Sequence, residues 1–191
     1  SINWIIVYTF RSFYSSNTTH PGQEELRDAY HPLFDKYGVD VVLQAHNHNY
    51  QRTYPISYNV TTPSSPIITN RNTENYTNIE NGQIFITLGT GGAEFYNFTA
   101  QAPFIVKQLL LHGFLNMDVA NNGSKLWITF YENTCVARDH LTISKIKAWT
   151  YFEPENTIFV HYENHEENVN VKLVDYQFNF VETSAIVQAS N

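Results

Sequence analysis

Two apolar runs, Trp4-Ile5-Ile6-Val7-Tyr8-Thr9-Phe10 and Val39-Asp40-Val41-Val42-Leu43-Gln44-Ala45, flank a segment with helical spacing. That order constrains the fold more than any other feature. Continuous apolar runs of this length read as strands buried on both faces of an α/β sheet. Between them Leu26, Tyr30, Leu33, Phe34 and Tyr37 recur at helical intervals, Glu24 and Glu25 sit in the first turn, and Gly38 is placed as a C-cap. Pro32 is expected to kink this helix or split it. Strand, helix and strand make a βαβ unit with parallel strands and a right-handed crossover. Open parallel sheets bind ligands beyond the carboxyl ends of their strands, so the expected site lies at Phe10-Arg11 and His46-Asn47-His48. A chain that enters a buried strand within its first residues is also expected to lack a preceding segment that would cover that strand.

The rest of the chain adds strands. Residues 11–22 form a polar loop with His20 near its end, and residues 53–82, dense in Pro, Ser, Thr and Asn, read as a long surface loop with a hairpin around Ile67-Ile68. Gln83 to Leu88 is a third strand, followed by Gly89-Thr90-Gly91-Gly92, a turn where backbone can approach closely. Strands are expected at Ile105 to Leu110, Gly113 to Val119, Lys125 to Tyr131 and His140 to Ser144, forming an antiparallel meander with a hairpin turn at Asn121-Asn122-Gly123. The organisation is a main domain, 1–148, and a β-rich acidic tail, 149–191. The tail has strands at Thr157 to Tyr162 and Val169 to Glu182, the second with alternating Tyr176, Phe178 and Phe180. Such a strand is a candidate assembly strand.

Composition narrows the partners. The net charge is −7 with no Lys/Arg cluster, which argues against nucleic acid, because phosphate binding needs a basic stripe. No apolar run approaches the roughly 20 residues that span a bilayer. Cys135 is alone, so no internal disulfide forms. Five sequons, at Asn17, Asn59, Asn75, Asn97 and Asn122, match the N-glycosylation pattern and favour an extracellular or cell-surface location.

His46 and His48 carry the chemistry. A His-X-His pair at a strand end points both imidazoles toward the loop side, a geometry suited to metal. The blocks around it are Trp4-Ile5-Ile6-Val7 with Tyr14-Ser15-Ser16, then Phe34 to Leu43, His46-Asn47-His48-Asn49-Tyr50-Gln51-Arg52, and Ile86-Thr87-Leu88-Gly89-Thr90-Gly91-Gly92. Together with the closing strands to about Ile146, these blocks resemble the purple acid phosphatase branch of the calcineurin-like metallophosphoesterases.

The resemblance implies an α/β fold: part of a four-layer α/β/β/α sandwich with an antiparallel C-terminal meander and the β-rich tail. It implies phosphomonoester hydrolysis by a hydroxide bridging two metal ions, Fe, Zn or Mn where the site is complete. It makes His46 and His48 metal ligands and His20 the candidate catalytic histidine. Two departures reduce the site. Phe10 stands where the family's strand ends in a metal-binding His, and the blocks that carry the family's Asp, Tyr and Asn ligands lie upstream of the matched region. Ala45 and Gln51 replace a Gly and a Glu of the family block. Two histidines do not hold two ions, since zinc sites use roughly three or four protein ligands each. The expected function is therefore the carboxyl-side part of a metal-dependent phosphoesterase, inactive as the isolated chain, with its partner a missing N-terminal half. The alternatives are a secreted, non-catalytic assembly protein that self-associates through an exposed sheet edge and the tail, and a binding domain in which the histidines only hydrogen-bond.

Overall fold

The computed structural model describes residues 3–16, 18–79, 82–145, 148–152, 158–162, 170–174 and 180–186. The chain divides into two compact units, Ser1–Lys145 and Ile146–Asn191. In the first unit the elements run β1 (Ile6–Tyr8), α1 (Glu24–Tyr37), β2 (Val41–Gln44), β3 (Tyr50–Thr53), β4 (Ile56–Ser57), β5 (Ile67–Ile68), β6 (Asn75–Thr77), β7 (Ile84–Leu88), β8 (Ile105–Leu109), β9 (Gly113–Ala120), β10 (Lys125–Glu132) and β11 (Ala137–Ser144).

The first sheet has the order β1-β2-β7-β3-β8 and the second the order β6-β11-β10-β9, with β4 and β5 as a separate pair. β1, β2 and β7 are parallel, while β3 runs antiparallel to both β7 and β8. The expected βαβ unit is present. Side chains alternate across the first sheet as the pleat requires: Val41, Ile84 and Ile86 face the second sheet and meet Leu126, Ile128, Phe130, Leu141 and Ile143, all buried. Val42 and Phe85 face the other way, onto Phe13, Tyr14 and Phe34. Among the described residues the layers are therefore helix, sheet and sheet; a fourth, helical layer is not among them.

The structure departs from the sequence reading in six places. Trp4 to Phe10 is not buried on both faces: only Ile6–Tyr8 pair as a strand, at the edge of the sheet, where Tyr8 is 86% and Phe10 65% exposed. The loop after it is not a polar surface loop throughout, because Ser12, Phe13, Tyr14 and Ser16 are buried under α1 and the loop 100–104. Pro32 does not split α1, which continues for 14 residues to Gly38 at φ 64°; His31 and Phe34, buried on either side of the proline, hold its course.

β8 belongs to the first sheet, paired to β3, and so lies outside the meander of β9, β10 and β11. β3 itself lacks an apolar pattern, yet all its residues are buried. Its Arg52 donates to Asp139 of β11 and its Gln51 accepts from the Ser16 N–H, so the polar groups are satisfied in place.

In the second unit β12 (Ala148–Phe152) pairs with β13 (Ile158–Tyr162), and β14 (Asn170–Val174) with β15 (Phe180–Ile186), both antiparallel. The single strand expected over Val169 to Glu182 is thus two strands; Tyr176 and Phe178 lie outside the described residues.

Candidate functional site

The site is built where β2 ends. After Gln44 the chain makes two consecutive three-residue turns: Asn47 N–H donates to Ala45 O and Asn49 N–H to Asn47 O, both at 2.8 Å. His46 sits at the centre of the first with φ 67°, a left-handed conformation a non-glycine residue rarely adopts. What holds it there is close packing from the next strand. Gly89, at the end of β7, passes so near that an added Cβ would lie 1.8 Å from Asn47 O, and its N–H donates to Asn49 O at 3.2 Å.

The two asparagines between and after the histidines are wholly buried and act as ties. Asn47 Oδ1 accepts from His20 N–H at 3.2 Å, while its amide donates to His20 O at 2.8 Å and Ser15 Oγ at 3.0 Å. Asn49 donates to Tyr96 O at 3.0 Å. Loops 11–22 and 89–100 are thereby drawn over the turn, one from each side.

The three histidines singled out from the sequence fall in two stacked ring pairs that meet edge-on through Tyr96. His20 lies face to face on His46, centroids 3.8 Å apart at 18°, and Phe10 flanks His46 at 5.1 Å. Tyr96 stacks on His48 at 4.1 Å and meets His20 edge-on at 5.1 Å. Arg11 Nη1 donates to His46 Nε2 at 3.2 Å. A guanidinium has no acceptor, so His46 must offer its lone pair there and carry its proton on Nδ1. His48 Nδ1 donates to Glu94 O at 2.9 Å, which fixes the same tautomer, with the proton on Nδ1. Partial burial lowers the pKa of His46, and the neighbouring His20, Arg11 and His48 lower it further.

The donor set does not fit two metal ions. A metal binds a lone pair in the plane of each ring, and rings stacked face to face direct those lone pairs side by side instead of at one point. The lone pair of His46 is already engaged by a cation, and Phe10 offers none. Among the described residues no group of three or more His, Cys, Asp or Glu could hold a metal ion.

The sequence places Arg11 and Asn47 at the expected site without assigning either a role, and it does not single out Asn49 or Tyr96 as site residues. Of the sequons, Asn75, Asn97 and Asn122 are exposed, while the Asn59 amide donates to Thr62 Oγ1 and Ser65 O. Asn17 lies outside the described residues. No described helix is long and apolar enough to cross a membrane.

No protein-family model matches the chain. It is 28% identical to an acid phosphatase of Aspergillus ficuum over 74% of its length and 24% of that protein's. It is 28% identical to the Arabidopsis thaliana protein named "Probable inactive purple acid phosphatase 1", over 74% of this chain and 23% of the relative. Among solved structures, purple acid phosphatase PPD1 from yellow lupin (Lupinus luteus) seeds superposes with a TM-score of 0.62 at 27% identity, covering 74% of this chain and 25% of the other. The chain thus spans about a quarter of the length of these relatives. Over about three quarters of its own length it is similar in sequence and fold to the purple acid phosphatases, and its fold is phosphoesterase-like.

Proposed function

We propose that this chain is part of a phosphoesterase-like polypeptide and does not itself hydrolyse phosphate esters. The observation that carries the reading is the Arg11–His46 contact at 3.2 Å, a fixed positive charge on the nitrogen that a metal would need. Two-metal hydrolysis requires ions that polarise the ester and supply hydroxide, and here His20 stacks on His46 while His48 stacks on Tyr96. Purified protein assayed against an aryl phosphate with added Fe, Mn or Zn is expected to turn over no faster than buffer with metal. Metal-dependent turnover abolished by His46→Ala would overturn the reading.

A second reading, assembly, is favoured by the first sheet's edge. β1 pairs with β2 on one side only, and Ile6, Tyr8 and Phe10 form an uncharged row that is 40%, 86% and 65% exposed. Exposed edge strands usually carry charge, proline or a bulge to prevent pairing; this one carries none. Under this reading the protein self-associates in an extracellular setting, glycosylated at Asn75, Asn97 or Asn122. Sedimentation of wild type against Tyr8→Lys tests it: a monomer in both cases removes it, and an oligomer lost in the variant supports it.

A further inference from the structure

We propose that a cleft of about 470 Å³ on the helical side of the first sheet binds a small monocarboxylate with an apolar body, through the guanidinium of Arg27. The cleft opens between the loop 11–22, the first turns of α1, the segment 64–68 and the loop 100–104.

The buried Phe13, Tyr14 and Phe104 and the rings of Pro21, Pro66 and Pro103 give it apolar walls. Among the described residues, Arg27 is the only charged side chain that lines it, and Arg27 is 6% exposed. Its Nε donates to Asp28 Oδ1 at 2.8 Å, and the N–H groups of Nη1 and Nη2 meet no acceptor among the described residues. Neither of those nitrogens is sealed from solvent, so the donors are open to the cleft that the residue lines. Donors left over on a buried guanidinium are costly unless something outside the chain accepts from them. Ser15 and Gln101, which also line the cleft, are already engaged: Ser15 Oγ accepts from Asn47 and Gln51, and Gln101 donates to Ile105 O. Arg27 is therefore the side chain with hydrogen bonds to offer.

Charge and shape choose the ligand. A guanidinium fork matches a carboxylate with two parallel N–H···O bonds. One negative charge is met by the one guanidinium, whereas the second charge of a phosphate monoester would find no further cation in the cleft. Asp28, which already shares Arg27, weighs further against a dianion. The apolar walls then favour a hydrocarbon or aromatic body behind the carboxylate. Those walls are held in place by the fold itself. Ala102 N–H donates to Ser16 Oγ at 3.1 Å, Gln23 N–H donates to Ser12 O at 2.8 Å, and Asn59 ties its loop to Thr62 and Ser65. A pre-formed cleft of this volume falls within the roughly 300–1,000 Å³ of small-molecule sites.

The test titrates the full chain with phenylacetate, its uncharged counterpart phenylacetamide, and phenyl phosphate, following the amide chemical shifts of Gly22 and Ala102, which line the cleft. Two variants are titrated alongside, with unfolding curves to confirm that they fold. Arg27→Met removes the fork and keeps the stem, while Ser64→Trp fills the cleft from an exposed position and leaves Arg27 in place. Wild type is expected to bind phenylacetate saturably, with a Kd of about 1 mM or tighter. Phenylacetamide and phenyl phosphate, and phenylacetate in either variant, are expected to bind at least about tenfold more weakly. If Arg27→Met does not fold, the three ligands on wild type and the Ser64→Trp variant still decide. No saturable shift with phenylacetate, equal binding of phenylacetamide, tighter binding of phenyl phosphate, or unchanged binding in a folded variant would each overturn the proposal.

Discussion

Arg52 is 1% exposed and donates to both oxygens of Asp139, Nε at 2.6 Å and Nη2 at 2.8 Å, while Tyr50 donates to Asp139 Oδ2 at 2.8 Å. Burial disfavours the charged guanidinium, but the Asp139 carboxylate bonded to it raises its pKa above the usual arginine value. Removing one partner leaves the other as an uncompensated buried charge, so Asp139→Ala is expected to cost about 3–5 kcal/mol in urea unfolding. Arg52→Met with Asp139→Leu should recover much of that; a single-variant loss under about 1 kcal/mol would mean the pair behaves like an exposed one. His31 is a second buried polar centre. It is fully buried, accepts from Tyr14 O–H at 2.7 Å and donates to Gln83 Oε1 at 2.7 Å, with Asp35 Oδ1 3.6 Å from its Nε2 and without a hydrogen-bond partner. Burial lowers its pKa, partly opposed by Asp35. Below the unperturbed value of 6.5 the unfolded chain therefore binds a proton that the native chain resists. Stability is expected to be full above that pH and to fall as pH drops below it, and His31→Gln should flatten this slope between about pH 7 and 5. An identical slope in the variant would assign the acid sensitivity to another group.

The element that matters most to the site is the turn after β2, and it is set by its neighbour β7 as much as by its own sequence. Gly89 is the only residue type that fits against Asn47 O, so Gly89→Ala must push the two backbones apart. The expected cost is about 1–3 kcal/mol, in the range of overpacking. Faster amide exchange at Asn49, whose N–H closes the second small turn, should accompany it. If stability falls while exchange at Asn49 is unchanged, the strain has been absorbed in the loop 89–100 and the turn is stiffer than its contacts suggest.

For the whole molecule, the absence of a fitting ligand set has a thermodynamic consequence. A ligand that binds only the native state raises the unfolding midpoint with its concentration. Zn2+ or Mn2+ added to chelator-treated protein is therefore expected to leave the midpoint unchanged, and a rise of more than about 3 °C, roughly 1 kcal/mol for a chain of this size, would indicate tight uptake. The sequence by itself determined the βαβ core, the helix and its Gly38 cap, the β9-β10-β11 meander and the place of the His46–His48 turn after β2. These follow from local periodicity, and periodicity is what side chains on one element impose on their neighbours. It did not reveal β3, because Gln51 and Arg52 look solvent-seeking until Ser16 and Asp139 arrive from 35 and 87 residues away. It named His20, His46 and His48 but not their arrangement. Whether three imidazoles converge on an ion or stack on neighbouring rings depends on where two loops and one arginine are held. Asn47, Asn49 and the close approach of Gly89 hold those loops, and only the tertiary structure decided that Arg11 points at His46.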